Sequence, residues 1–327
     1  MSTRITVHRI PLDNPQAFSL RGSGPHPREA GVAEHLCLER EIDDAGHETL
    51  FIRRDPGGEV LYRKAARWEA GRRSGEEEFF AETGATVTHE IVRTADAETE
   101  RVLFDGELDA VIERTLLPDG TIASERVLDA SGDLRSFTER DAAGRVVYQE
   151  DPRSSQRFSY DASGEIAEIV TDADGVETVE TTLFEAGVPV GAVVSRGGEE
   201  IGRRTVTRGE HRRTEEEMQR GRVVLRRVED LDSAGRAVRL EEYSERSDGA
   251  QVESRRTQEW SADGHLLAAA VEGWLTVPGA GRVKAAFGRR EMSYDGEGRV
   301  AEILLQDAQD EELEDNSYYR FEYQRRG

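Results

Sequence analysis

The chain has 327 residues, and its 67 Asp and Glu residues against 44 Lys and Arg residues give a formal net charge of −23. This acidity argues against nucleic acid and anionic membrane surfaces as partners, because both attract positively charged proteins. Hydrophobic residues make up 36% and charged residues 34% of the chain, whereas globular domains have about 45–50% and about 25%. So little apolar material excludes a thick globular core, and we expect a thin sheet that faces water over much of its area.

Membrane insertion is not expected, because no stretch approaches the roughly 20 apolar residues of a membrane span. The N-terminal sequence also lacks the apolar run of a signal peptide. Cys37 is the single cysteine, so an intramolecular disulfide is impossible and an oxidising compartment gains no support. We expect a cytoplasmic protein, or one that is exported by a route independent of a signal peptide.

In chain order, residues 1–34 are predicted to form an N-terminal strand and loop segment. A strand is predicted over residues 5–10, and the sequence SGPHP at 23–27 indicates a loop. Residues 35–327 are predicted to form one continuous repetitive β-sheet domain. Within it, residues 64–85 mix charge clusters with aromatic residues, so the sequence leaves their structure open, with a short helix and a long loop as the alternatives.

Hairpin turns are predicted wherever an Asp precedes a Gly by three residues. The Asp accepts backbone hydrogen bonds at the first position of a type I turn, and the Gly takes the left-handed conformation that closes the hairpin with a bulge. The turn-forming pairs are Asp129 and Gly132, Asp141 and Gly144, Asp161 and Gly164, Asp172 and Gly175, Asp232 and Gly235, and Asp295 and Gly298.

The spacing of the turn glycines predicts the fold class. Many neighbouring turn glycines are 11 to 14 residues apart, which leaves about seven or eight residues for each strand after a four-residue turn. No helical repeat intervenes, so successive strands should pair antiparallel. We therefore expect an all-β fold, a long antiparallel β-meander of repeated hairpins. A sheet of so many strands must curl or coil.

Two turns carry a tyrosine immediately before the Asp, in the sequences YDASGEI at 160–166 and YDGEGRV at 294–300. These resemble the YD repeats of Rhs and teneurin-type proteins, and RDAAGRV at 140–146 and LDSAGRA at 231–237 resemble the same unit without its tyrosine. The resemblance implies a coiled antiparallel sheet, which in large members forms a shell around a toxin or other cargo. This chain is shorter, is poor in tyrosine, and shows no segment that would release a C-terminal toxin.

No catalytic, metal-binding or cofactor-binding residues are predicted. His35 and Cys37 share one face of a strand, but no second pair of ligands accompanies them, as a zinc site requires. Asp172, Asp174 and Glu177 surround one turn, but their spacing differs from that of a calcium loop. With 67 acidic residues, a suitable carboxylate pair is expected somewhere by chance, so composition gives no evidence for hydrolysis.

Two segments have an unbalanced local charge. Between residues 203 and 227 there are nine arginines and four glutamates, and between residues 307 and 316 there are six acids and no base. Arginine binds carboxylates in a bidentate manner. Either segment could also be a solvated surface. The predicted partner-binding residues are Arg203, Arg204, Arg208, Arg212 and Arg213.

Two classes of function follow. The first is a non-catalytic β-repeat scaffold that binds a protein partner, in its sharpest form a toxin-associated protein that serves in shelter or immunity. The second is an envelope or carbohydrate-binding module, with possible glycoside hydrolase activity, that uses exposed Trp68, Trp260 or Trp274. Clustering of these tryptophans with a carboxylate pair in one groove would favour the second class. The oligomeric state is not indicated by the sequence.

Overall fold

The computed structural model describes residues 2–21, 25–246, 249–277, 281–307, 313 and 315–326. These residues form antiparallel strands and two short 3-10 helices, Pro15–Ala17 and Pro27–Ala30. The strands of the described residues are β1 (Ser2–Pro11), β2 (His35–Ile42), β3 (Glu48–Arg54), β4 (Val60–Glu69), β5 (Arg72–Phe80), β6 (Ala85–Arg93), β7 (Ala97–Phe104), β8 (Glu107–Leu116), β9 (Ile122–Asp129), β10 (Leu134–Arg140), β11 (Val146–Glu150), β12 (Ser154–Tyr160), β13 (Ile166–Ala173), β14 (Val176–Glu185), β15 (Val188–Arg196), β16 (Glu199–Arg208), β17 (Arg212–Gln219), β18 (Arg222–Leu231), β19 (Ala237–Glu245), β20 (Gln251–Trp260), β21 (Leu266–Val277), β22 (Gly281–Tyr294), β23 (Val300–Gln306) and β24 (Ser317–Arg326).

Each strand pairs with its neighbours in sequence, and β1 also pairs with β24 in an unbroken register from Ser2 opposite Arg326 to Pro11 opposite Ser317. The single sheet therefore closes on itself as a barrel, and none of the strands in the described part of the chain has a free edge. Closure removes the unpaired backbone groups that would otherwise recruit other chains. The predicted all-β, curled antiparallel meander is confirmed, and residues 1–34 contribute the strand that closes it.

Five of the six predicted Asp-x-x-Gly turns share one geometry. In the turn that begins at Asp161, the backbone N–H of Gly164 bonds to the Asp161 carbonyl at 3.1 Å. The Asp161 carboxylate accepts the N–H groups of Ser163 and Glu165, both at 2.9 Å. The turns that begin at Asp129, Asp141, Asp232 and Asp295 repeat this pattern, and their glycines all have positive φ, as predicted.

The turn predicted at Asp172 is wrong in its type. Strand β13 continues through Asp172, which pairs with Glu177, and the chain reverses at Asp174 and Gly175 alone. Asp174 has φ 54° and Gly175 has φ 77°, which are the two left-handed residues of a type I′ hairpin. The Asp-Gly dipeptide therefore sets this turn, and Asp172 only accepts the N–H of Gly175 at 3.0 Å.

Both alternatives for residues 64–85, a short helix and a long loop, are also wrong. This region contains the second part of β4, a two-residue turn at Ala70 and Gly71, and β5. Charged pairs such as Arg63 with Glu77, whose side chains lie 2.9 Å apart, bridge the two strands. Cross-strand charge pairs can hold such strands together, so the apolar pattern was too weak to reveal them.

Five of the described turns also contact an aromatic side chain near the end of the second strand after the turn. In the turn that begins at Asp141, Arg145 donates to the Asp141 carboxylate at 2.8 Å and lies 4.4 Å from the centre of the Tyr160 ring. The Tyr160 hydroxyl donates to the carbonyl of Val146 at 2.6 Å. We call this arrangement the edge unit. Its hydrogen bond from Arg145 lowers the pKa of Asp141.

The other edge units repeat this geometry with different side chains. The residue after the glycine is Arg or His, and the aromatic residue is Trp or Tyr. Each aromatic polar atom bonds to the carbonyl two residues after the glycine, at 2.8 to 3.0 Å. The contacting pairs are His47 with Trp68, Arg236 with Trp260, His265 with Tyr294, and Arg299 with Tyr323.

Two small apolar clusters lie on opposite faces of the sheet near its point of closure. On the first, here called face A, Val7 packs with Leu38, Phe51, Ile303 and Tyr319. On the second, face B, the cluster contains Ile10, Leu12, Leu304 and Tyr318. The described parts of residues 12–34 cover face B there. Among the described residues, no helix has the length and apolar character needed to cross a membrane.

Buried polar groups fix this N-terminal segment to face B. Glu291 is fully buried, and its carboxylate accepts the Ser19 hydroxyl at 2.9 Å and the Leu20 N–H at 2.7 Å. The Gln306 amide donates to the carbonyls of Pro15 and Phe18 at 2.9 and 3.1 Å. Since a buried carboxylate or amide without partners is costly, these bonds tie the segment to β22 and β23.

The left-handed glycine of an Asp-x-x-Gly turn should not tolerate a side chain. Gly132 has φ 91° and open space around its Cα atom, so Gly132→Ala adds backbone strain without a clash. We expect the free energy of unfolding to fall by about 1–2 kcal/mol, measured by urea denaturation. Gly296→Ala is the matched control, because Gly296 lies in a similar turn with equal space and no positive φ. Equal losses for the two variants would contradict this account.

The edge unit should contribute measurable stability through its hydroxyl bond. Tyr160→Phe keeps the ring beside Arg145 and removes the donor to Val146. We expect a loss of about 1 kcal/mol in the free energy of unfolding, again from urea denaturation. Tyr243→Phe is the control, because the Tyr243 hydroxyl has no hydrogen-bond partner among the described residues, and it should change stability by less than about 0.5 kcal/mol.

Candidate functional site

The five arginines predicted to bind a partner lie on β16 and β17 but do not form one surface. Successive side chains of a strand point to opposite faces, so Arg212 and Arg213 are separated, as are Arg203 and Arg204. Each has an acceptor within the chain. These contacts are Arg203 with Glu200 at 2.8 Å, Arg204 with Glu180 at 2.9 Å, Arg208 with the Pro189 carbonyl at 2.6 Å, Arg212 with Asp230 at 3.2 Å, and Arg213 with Glu215 at 3.8 Å.

Arg212 is the member of this set that lines a groove. The groove crosses β17 to β22 on one face of the sheet and has a volume of about 510 Å³, within the range of about 300–1,000 Å³ that is usual for ligand sites. We call it the arginine groove. Its charged and aromatic lining residues are the arginines Arg212, Arg226, Arg255 and Arg282, the glutamates Glu241, Glu242 and Glu253, and Tyr243 and Trp274.

Strand register aligns these side chains in two rows. In the first row Arg226 is opposite Tyr243, Tyr243 is opposite Glu253, and Glu253 is opposite Trp274. The second row runs beside it, from Val228 through Glu241 and Arg255 to Glu272. The floor therefore alternates aromatic, cationic and anionic side chains across neighbouring strands. The guanidinium of Arg282 lies 4.8 Å from the centre of the Trp274 ring.

The guanidinium groups of the groove reach further into solvent than the carboxylates that pair with them. Arg212, Arg226 and Arg282 are 61%, 56% and 53% exposed, and their partners Asp230, Glu216 and Glu253 are 33%, 37% and 39% exposed. Such exposed pairs contribute little to stability. They leave these arginine side chains accessible beside the glutamates of the groove, on a chain with a net charge of −23.

The three tryptophans do not come together. Trp68 and Trp260 belong to edge units, where their indole N–H groups donate to the carbonyls of Glu48 and Ala237 at 3.0 and 2.8 Å. Trp274 alone lines the arginine groove. The two tryptophans of the edge units thus have structural contacts, and a shared aromatic platform of all three does not exist.

The carboxylates of the groove are not arranged as an acid and base pair. Hydrogen bonds from Arg239 and then Arg255 to Glu241 lower the pKa of that carboxyl. A general acid in glycoside hydrolysis needs a raised pKa, because it must hold a proton at neutral pH. Glu253 is bonded to Arg282. The groove is therefore suited to binding charged groups rather than to proton transfer.

The His35 and Cys37 pair and the described part of the acidic segment 307–316 lie apart from the arginine groove. His35 and Cys37 both lie on β2, and Cys37 contacts the Val7 carbonyl at 3.3 Å and packs against the face A cluster. Neither belongs to a group of three potential metal ligands among the described residues. Of the acidic segment 307–316, residues 308–312 and 314 lie outside the described residues. Sequence reasoning missed the groove, because its residues become neighbours only through strand register.

Comparison with known proteins gives one family match. Residues 129–177 match the RHS Repeat family model, which confirms the resemblance to YD repeats over that part of the chain. This stretch runs from the end of β9 into β14 and includes the edge unit of Asp141 and Tyr160. The chain is thus a β-repeat scaffold. Among curated proteins, none matches it significantly in sequence.

Solved structures with some similarity are distant. A porin-like protein from Bacteroides uniformis is 8% identical, with 99% of this chain and 96% of that chain covered and a TM-score of 0.25. Transferrin Binding Protein B from Haemophilus parasuis is 10% identical, with 100% and 76% covered and a TM-score of 0.13. TarM from S. aureus is 12% identical, with 35% and 18% covered and a TM-score of 0.14. These TM-scores are too low to support an argument about function.

Proposed function

We propose that this chain is a non-catalytic scaffold that binds a protein partner through the arginine groove. The observation that carries the proposal is the alignment of exposed guanidinium groups with Tyr243 and Trp274 across β18 to β22. Arginine and aromatic residues are the types enriched where proteins recognise one another. The sheet supplies a rigid floor, and its closure keeps backbone edges out of the interaction.

The partner segment is acidic, extended and contains aromatic residues. Carboxylates suit the exposed ends of Arg212, Arg226 and Arg282, because guanidinium binds carboxylate with two parallel hydrogen bonds. An aromatic side chain suits the open face of Trp274 or Tyr243. Binding exchanges the internal partners of these arginines for those of the segment.

The toxin-associated form of this proposal, shelter or immunity, rests on the RHS Repeat match at residues 129–177. A toxin or its acidic segment would be the partner of the groove. The competing proposal, a carbohydrate-binding or hydrolytic module, required tryptophans and a carboxylate pair in one groove. With Trp68 and Trp260 engaged in edge units, the protein-binding proposal is the better supported.

The groove can be tested with defined peptides. We expect a fluorescein-labelled peptide of alternating Glu and Tyr to bind the full chain in a fluorescence anisotropy titration. Arg212→Glu and Arg282→Glu should each weaken binding at least about tenfold, or about 1.4 kcal/mol, because each replaces a guanidinium contact by repulsion. Arg213→Glu is the matched control, since Arg213 neighbours Arg212 in sequence but lies on the other face.

Circular dichroism should first show that each variant retains the wild-type strand content. If Arg213→Glu weakens peptide binding as much as Arg212→Glu does, the groove is not the binding site. Tighter binding of a Lys–Tyr peptide than of the Glu–Tyr peptide would also contradict the proposal. Binding of an oligosaccharide panel that Trp274→Ala abolishes, with no peptide binding, would instead support the carbohydrate module. With lysate from source cells, the partner is the protein captured by the wild type and by Arg213→Glu but lost with Arg282→Glu.

A further inference from the structure

A cluster of potential metal ligands lies away from the arginine groove, on β5 and β6. Glu76 and Glu78 share one face of β5, and His89 on β6 is directly opposite Glu76. One ligand atom from each of the three residues lies within 4.8 Å of the other two, and no other such group occurs in the described part of the chain. Residues that are 11 and 13 positions apart are thus brought together by the register of a single hairpin.

The imidazole of His89 is oriented by a residue outside the cluster. Its Nδ1 atom lies 2.8 Å from Oε1 of Glu100, on β7. Glu100 is only 1% exposed and also accepts Arg73 at 2.8 Å and Arg114 at 2.7 Å. With Nδ1 in contact with this buried carboxylate, Nε2 is the ring nitrogen that remains for a metal ion. Metal-binding histidines usually donate their second ring N–H to a carboxylate in this way.

The carboxylates of Glu76 and Glu78 are also positioned by neighbouring side chains. Tyr62 donates its hydroxyl to Oε2 of Glu78 at 2.7 Å, and Arg73 lies 3.1 Å from Oε1 of Glu76. Each of these contacts is to one oxygen, and among the described residues the second oxygen of each carboxylate has no hydrogen bond. The side chains of Glu76 and His89 are 11% and 17% exposed. An ion here would therefore be largely shielded while water still reaches it.

We propose that Glu76, Glu78 and His89 bind a divalent transition-metal ion, of which Zn²⁺ is the best fit. One imidazole and two carboxylates, with water as a fourth ligand, match the three-ligand coordination of zinc. Imidazole selects such ions over Ca²⁺ and Mg²⁺, which prefer oxygen alone. In tetrahedral zinc the ligand atoms lie about 3.4 Å apart, so side-chain rotations on the order of an ångström complete the site. The ion joins β5 to β6 where the apolar clusters do not extend.

Direct metal titration tests this proposal. The full-length protein is stripped with a chelator, and Zn²⁺ is titrated in competition with a chromophoric chelator. We expect one ion per chain, and Co²⁺ in its place should give the visible absorption bands of a nitrogen- and oxygen-ligated site. Glu78→Gln and His89→Gln should each abolish this binding event. Glu100→Gln should weaken it by about 10- to 100-fold without abolishing it, because it orients a ligand and does not bind the metal.

His47→Gln is the matched control. His47 also has a carboxylate beside Nδ1, Asp43 at 3.0 Å, but it belongs to no group of three ligands in the described residues. Its replacement should leave Zn²⁺ affinity unchanged, and circular dichroism should confirm that all variants keep their strand content. The proposal is overturned if the wild type does not bind Zn²⁺, or if His89→Gln and Glu78→Gln bind it as tightly as the wild type.

Discussion

The contact between a turn and an aromatic residue of the second strand after it is the interaction that sets register at five places in this sheet. A sheet with 36% hydrophobic residues has too few apolar side chains to fix its register by burial, and a slip of one residue would exchange its faces. In each edge unit, the Asp or Ser at the first position of the turn accepts backbone N–H groups, and the aromatic polar atom bonds to the first carbonyl of the next strand. Because both bonds are specific to position, they set register where burial does not.

Some edge units are also connected to one another, because the aromatic residue of one unit immediately precedes the turn of the next. Trp260 contacts Arg236 and immediately precedes the turn at Ser261, whose His265 contacts Tyr294. Tyr294 in turn precedes Asp295, and Arg299 of that turn contacts Tyr323. Three consecutive turns on one edge are thus linked from residue 232 to residue 323. A tyrosine followed by an aspartate is the sequence form of this link, which gives a physical reason for the YD pattern.

Closure of the barrel requires long-range contacts, because it pairs strands from the two ends of the chain. The hairpins form from local contacts, whereas β1 and β24 pair across more than 300 residues of sequence. Contacts of such separation carry a large entropy cost. The apolar clusters and the buried bonds of Glu291 and Gln306 are concentrated at this junction. The scarce apolar residues therefore stabilise the pairing that local hairpins cannot supply.

The strands and most of the turns could be predicted from the sequence, because the conformation of a turn depends on the residues within it. The prediction of the turn type was wrong at Asp172. There an Asp-x-x-Gly spacing overlaps with an Asp-Gly dipeptide, and the chain forms the two-residue turn of the dipeptide. Residues 64–85 were missed because their cross-strand pairs, such as Arg63 with Glu77, have no apolar periodicity. The groove and the His89 cluster could not be predicted, since both depend on register between strands. Alternation along β17 alone, however, separates Arg212 from Arg213.

Function is consequently expected on strand interiors, since the edge units occupy the ends. The arginine groove lies there, and its exposed arginine side chains stand beside glutamates on a chain with a net charge of −23. The acidic partner proposed above would be repelled at long range and attracted at contact. Salt screens charges separated by more than about 8 Å at physiological ionic strength, while short bidentate pairs with Arg226 or Arg282 are screened less. Moderate salt should therefore speed association with the proposed acidic segment before high salt weakens the bound state, and the proposed interaction would then depend on close contact rather than on long-range attraction.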